Sequence, residues 1–231
     1  MNFVTHSSKQ PAAIPTSPCA FPERLMLAAC LVLLAWTIFL AQGFDGSLFL
    51  AIYGVTDAGS ALLWRGISFL GSSVILTPVV AVIAAVLLWR NRGLPALAVA
   101  FGWVATNLTV ELLQWAVDRS RPLVPHWTSA SGSAFPSGHA AQALYVYLFL
   151  SLTFRSSVSL ADRGAWWRSL PRTVSWLLAL VPAAVGYSRV CLGVHWPSDV
   201  VGGWAVGLFF CALAWLLQAD GRRSPPPRNG S

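Results

Sequence analysis

Apolar and polar positions along this chain are segregated into blocks. Long runs almost free of charge alternate with short segments that carry arginine, proline and glycine. A helix that crosses a bilayer needs ~20 mostly apolar residues, with a range of about 17–25. Six runs are candidates: about Leu25 to Gln42, Ile67 to Trp89, Leu94 to Val117, His139 to Phe154 (a short one), Thr173 to Val190 and Val200 to Leu217. Pro78 and Pro182 fall inside runs and predict kinks. Residues 45–66 are interrupted by Asp45, Gly46, Gly54, Asp57, Gly59 and Arg65, which suits an interfacial helix better than a span. Residues 1–22 and 219–231 lack apolar periodicity and are expected to be disordered flanks. The expected architecture is all-α, a single bundle of six transmembrane helices over residues 23–218. The first run follows a long polar lead and has only Ala41-Gln42-Gly43 as a poor cleavage site, so it reads as a retained helix.

Composition agrees with a membrane protein. Charged residues are 10% of the chain and hydrophobic ones 56%, against about 25% charged in soluble domains. The mean hydropathy is +0.63. Trp64, Trp89, Trp115, Trp166, Trp167 and Trp215 sit near run ends, as in an aromatic belt. Gly203 and Gly207 have the spacing of a close helix contact. Cys30 and Cys211 read as packing residues and Cys191 as a small neutral spacer. The cysteines form no metal-ligand spacing.

The net charge of +7 is scattered through short connections, so topology explains it better than nucleic acid does. With six spans, Lys9, Arg24, Arg90, Arg92, Arg155, Arg163, Arg168, Arg172, Arg222, Arg223 and Arg228 share one side. Arg65, Arg119, Arg121 and Arg189 share the other. The positive-inside rule then places both termini in the cytoplasm. The second set faces the extracytoplasmic side of the inner membrane.

That second side carries the chemistry. Arg121-Pro122, Pro136-Ser137-Gly138-His139 and Ser188-Arg189 through His195 to Asp199 all lie at ends of apolar runs. Phosphoryl transfer needs donors around the phosphate oxygens, a nucleophile in line and an acid for the leaving oxygen. Arg121 is expected to end the third helix, with its forked donors available to phosphate. Ser137 is a good N-cap, and the free N–H groups after it, with Gly138, form an anion site. His139 beside that anion could donate a proton. Asp199, four residues after His195, can reach one ring nitrogen and leave the other as a nucleophile. Arg189 can hold another oxygen. Glu111 reads equally as a partner of Arg119 or Arg121 and as an interfacial residue.

Together these three motifs resemble the signature of the type 2 phosphatidic acid phosphatase superfamily, and the six-helix pattern resembles its bacterial membrane members. The resemblance implies a lipid phosphate phosphatase in which His195 becomes a phosphohistidine. Asp199 would orient it, and His139 would protonate the leaving oxygen and then activate water. Arg121, Ser137, Gly138 and Arg189 would bind phosphate. No metal or other cofactor is implied, and the partners are a lipid phosphate and the bilayer. Gln114 stands where the family has a lysine. It is a weak phosphate ligand without charge, for which Arg119 could compensate. That departure keeps open a weakened enzyme that only binds lipid phosphate. Phosphoryl transfer to another acceptor stays open too, whereas vanadate-dependent halide oxidation fits six spans poorly. Neither the substrate headgroup nor the oligomeric state follows from the sequence.

Overall fold

The computed structural model describes residues 45–160 and 170–221, and helical positions 24, 26–28, 30, 31 and 33–35 before them. After those positions come seven helices among the described residues. They are α1 (Asp45–Tyr53), α2 (Ala58–Phe69), α3 (Ser73–Trp89), α4 (Gly93–Val117), α5 (Gly138–Leu160), α6 (Leu170–Cys191) and α7 (Pro197–Gly221). Of the expected flanks 1–22 and 219–231, residues 1–22 and 222–231 lie outside the described residues, as does most of the expected first span, while residues 219–221 belong to α7.

Among the described residues, four helical stretches are long and apolar enough to cross a membrane: Ala58–Trp89 (α2 with α3), Gly93–Val117, Thr173–Cys191 and Pro197–Leu217. The expected count of six is not shown, because most of the first span and the side chains of the last turns of α5 lie outside the described residues. α5 carries His139, Gln142, Tyr145, Tyr147 and Ser151, and it packs most heavily against α6 and α7. A polar helix is tolerable at membrane depth when apolar neighbours enclose it. The lipid-facing role falls to the exposed leucines, valines and phenylalanines of the outer helices, such as Leu62, Val82, Phe101, Leu112 and Leu180.

The segment 45–66 differs from expectation. It holds two helices, and the second runs beyond the segment to Phe69, with a break at Leu70–Ser72 before α3. Asp57 caps α2 by accepting from the Ser60 amide at 2.8 Å, while the Ser60 hydroxyl accepts from the Asp57 amide at 2.9 Å. Such reciprocal capping satisfies two donors that a helix start would otherwise leave open. The third expected span ends at Val117 as expected, but Arg121 does not close it, because Asp118 turns into the left-handed region at φ 43°. Arg121 therefore lies in the following loop rather than at a helix end.

The core joins Leu76 and Val80 of α3, Val99 and Trp103 of α4, Tyr145 and Phe149 of α5, and Cys211 and Ala214 of α7. Trp89 and Trp115 are exposed as a belt requires, whereas Trp215 packs on Phe149 and Trp64 on Tyr187. The α5–α7 contact needs bare backbone. A Cβ on Gly203 would meet the Ser137 carbonyl at 2.3 Å, and one on Gly207 the Ala141 carbonyl at 2.3 Å. Backbone atoms cannot swing aside as side chains do, so Gly207→Ala is expected to push α7 off α5. Thermal unfolding in detergent should show a loss of about 1–3 kcal/mol, the usual scale of overpacking.

Candidate active site

The end of α4, the start of α5, the end of α6 and the start of α7 meet at one end of the bundle, and all three sequence motifs converge there. His195 sits between α6 and α7 and is buried. Its Nδ1 lies 2.8 Å from the Ala134 carbonyl. A carbonyl only accepts, so Nδ1 carries the proton and Nε2 keeps its lone pair. Asp199 Oδ2 is 3.6 Å from Nδ1, too far for a hydrogen bond. Asp199 thus reaches the expected ring nitrogen at ion-pair distance, while the short hydrogen bond that fixes the tautomer goes to the Ala134 carbonyl. The Asp199 side chain is fully buried. It accepts from the Trp196 amide at 2.8 Å and from Arg119 Nη1 at 2.7 Å. Burial pushes the His195 pKa down to about 4, because a low-dielectric site disfavours imidazolium. Asp199 pulls it upward, while Arg189 and Arg121 push it further down.

The donors around His195 are in different states. Arg121 Nη1 lies 3.4 Å from Nε2. Its guanidinium also donates to the carbonyls of Val194 at 2.6 Å, Ser131 at 2.7 Å, Gly132 at 3.1 Å and Ser133 at 3.2 Å. Arg121 therefore binds the loop to the α6–α7 connection. Arg189, buried, donates through Nη1 to Ser68 Oγ at 2.9 Å, while its Nε has no partner. Ser137 directly precedes α5, but its hydroxyl makes no capping bond. That oxygen is buried and without a partner. The Ser137 amide donates to the Asp199 carbonyl at 2.9 Å, which joins the α5 start to the α7 start. The first N–H groups of α5, from Gly138 on, have no carbonyl one turn behind them. His139 is in that first turn, with Arg189, His195 and Arg121 as its electrostatic neighbours.

Gln114 is not among the groups open to an anion. Its Nε2 donates to the Pro136 carbonyl at 3.0 Å and so braces the loop before Ser137. Arg119 does not stand in for a missing lysine either. Its guanidinium is held by Asp199 and by Asp45 Oδ2, the latter at 2.8 Å. Glu111 is exposed and pairs with neither Arg119 nor Arg121.

Several residues at the site were missed in the sequence. Ser68 holds Arg189, and Gly71 lies so close to α5 that a Cβ there would meet the His139 carbonyl at 3.0 Å. Asp45 and Ser198 hold Arg119, and Ala134 holds His195. Asp45 alone left a signal, as a carboxylate in a chain with few charges. The loop over the site is tied down from outside. Tyr53 donates its hydroxyl to the Pro125 carbonyl at 2.8 Å, and Arg65 Nε donates to the Trp127 carbonyl. Leu123 is left fully exposed.

Residues 95–223 match the sequence pattern described as the PAP2 superfamily. The chain belongs to this superfamily. It is similar to phosphatidylglycerophosphatase B of Bacillus subtilis (strain 168), at 28% identity over 148 residues, 64% of this chain and 70% of that protein. It is also similar to phosphatidylglycerophosphatase B of Escherichia coli (strain K12), at 33% identity over 123 residues, 52% of this chain and 43% of that protein. Among solved structures, a transmembrane PAP2 type phosphatidylglycerolphosphate phosphatase from Bacillus subtilis shares the fold. The TM-score is 0.71 at 24% identity, covering 90% of this chain and 100% of that one. With its apolar helices, this PAP2 chain is a multi-pass membrane protein.

The depressed His195 pKa has a consequence for stability. An unfolded histidine takes a proton near pH 6.5, and the folded one near pH 4. Between those values the unfolded chain binds more protons, so stability is full above the upper one and falls as pH drops through the window. Unfolding midpoints from pH 7 to pH 4 should decline less steeply for His195→Asn than for the wild type.

Proposed function

We propose that this PAP2 protein is an integral-membrane phosphatase that hydrolyses a lipid-borne phosphomonoester or pyrophosphate through a phosphohistidine. The observation that carries this reading is a pair of buried polar atoms with no partner in the protein. Ser137 Oγ and Arg189 Nε are buried without partners at the site that holds the unprotonated Nε2 of His195. A buried polar group left unpaired costs about 1–3 kcal/mol, and phosphate oxygens would satisfy both. Arg121 and the N–H groups at Gly138 and His139 complete the cradle.

In the first step Nε2 donates its lone pair to phosphorus, and the bond from phosphorus to the lipid oxygen breaks. His139 gives a proton to that oxygen. In the second step His139 takes a proton from water as the water attacks phosphorus, and Nε2 departs with its electron pair. The Nδ1–H stays on the Ala134 carbonyl throughout. The positive charge of the phosphorylated ring is offset by that carbonyl and by the Asp199 carboxylate 3.6 Å away. A neutral His195 at pH 7 is the form this attack needs. Transfer to an acceptor other than water would use the same first step.

Several features support a lipid substrate. The site lies at helix ends, where a headgroup would sit, and the outer helix faces are apolar. Phosphatidic acid, phosphatidylglycerol phosphate, lipid A and polyprenyl pyrophosphate all offer the required group. Gln114 braces Pro136 rather than the phosphate, so a charge lost there weakens the cradle without dismantling it. The six spans of this reading are the N-terminal helical stretch, α2 with α3, α4, α5, α6 and α7. Arg90 and Arg92 lie at the bundle end opposite the site, which supports cytoplasmic termini and an extracytoplasmic site.

Purified protein should release phosphate from at least one of these lipids in micelles without added metal. His195→Ala should lose all measurable turnover, and His139→Ala about 10²–10⁴-fold, the range of general acid–base catalysis. An active His195→Ala variant would remove the nucleophile from this scheme. For orientation, Ser129→Cys should react with a membrane-impermeant thiol reagent on intact cells, and Arg92→Cys only after lysis. The reverse pattern would invert the topology.

A further inference from the structure

We infer that Asp45 is a positioning residue for the nucleophile, acting through Arg119. Asp45 opens α1, far in sequence from the catalytic motifs, and it is 9% exposed. A buried carboxylate is costly unless it is paired, and this one is fully engaged. Oδ1 accepts from the Ser198 amide at 2.9 Å. Oδ2 accepts from the Ser198 hydroxyl and from Arg119 Nη2, the latter at 2.8 Å. Arg119 Nη1 then donates to Asp199 at 2.7 Å and to Ser198 Oγ at 2.6 Å. One guanidinium is thus clamped between two carboxylates from different ends of the chain.

Two routes lead from this clamp to His195. The first runs through Asp199, which is held 3.6 Å from Nδ1. The second runs along the backbone. The Arg119 amide donates to Ser133 Oγ at 2.9 Å, and its carbonyl accepts from the Ala134 amide at 2.8 Å. The Ala134 carbonyl then accepts from His195 Nδ1 at 2.8 Å. The side-chain hydrogen bonds of Asp45 go to Arg119 and Ser198, not to Ser137, Arg121 or Arg189, the groups assigned to phosphate. Loss of Asp45 should therefore disturb where the ring points and how it is protonated, with phosphate binding intact. Trp196 reinforces the arrangement: Phe49 of α1 lies 5.2 Å from its ring and the Arg119 guanidinium 5.6 Å.

The kinetic part of the test rests on the phosphatase reading, and the spectroscopic part does not. Full-length protein in micelles would be compared as wild type, Asp45→Asn, Asp45→Ala, Arg119→Ala and the double alanine variant. With a lipid phosphate that the wild type hydrolyses, kcat should fall at least about five-fold in each single variant, with KM changed less than about two-fold. The double variant should be no worse than the poorer single one, because members of one network are not additive. The ring ¹⁵N signals of His195, assigned by their loss in His195→Asn, should show the Nδ1–H tautomer in the wild type and a shifted or mixed form in Asp45→Ala. Unchanged ring signals in Asp45→Ala overturn the proposal, as does a rise in KM at constant kcat. A wild type that hydrolyses no lipid phosphate counts against the phosphatase reading instead, and the ring signals alone then decide the role of Asp45.

Discussion

The bridge Asp45–Arg119–Asp199 ties together the parts of the molecule that build the site. It joins α1, the loop after α4 and the start of α7. Desolvating three charges is expensive, and the arrangement holds only because nearly every donor and acceptor is used. The Ser198 amide and hydroxyl and the Trp196 amide take the remaining carboxylate lone pairs. From this bridge the backbone of Arg119 sets Ala134, and Ala134 sets His195. The Asp199 carbonyl meanwhile sets Ser137.

Two opposing effects act on His195. Burial and the nearby Arg189 and Arg121 disfavour a charged ring, and Asp199 favours it. Burial is the largest, so the folded protein holds the ring neutral. Had Asp199 bonded the ring directly and lacked Arg119, the carboxylate would have acted with its full charge. Sharing that charge with a guanidinium keeps the carboxylate close enough to offset a phosphorylated ring without protonating the resting one.

The packing of the bundle serves the same end. α5 and α7 touch through bare backbone at Gly203 and Gly207, and the carbonyl nearest Gly203 is that of Ser137. Close helix approach and the position of the anion loop are therefore one constraint. Gly71 plays a similar part against His139. In a membrane, where apolar surface gives helices little drive to associate, such close contacts and buried polar bonds carry much of the association.

The helical, membrane-embedded character of the chain was legible from hydropathy, because each span is a local composition. His139, His195, Asp199, Arg121, Arg189 and Ser137 were legible because each motif is short, and the structure brings them to one end of the bundle. Boundaries were less so: Asp118 ends α4 before Arg121, and the segment 45–66 holds two helices rather than one. The sequence by itself determined the helices, the membrane setting and the residue types of the chemistry, since these rest on short-range pattern. Only the tertiary structure decided that Ala134 rather than Asp199 holds the ring, that Gln114 braces Pro136, and that Asp45 and Ser68 belong to the site. Those are contacts between residues distant in sequence, and no local propensity encodes which buried charge will find which partner.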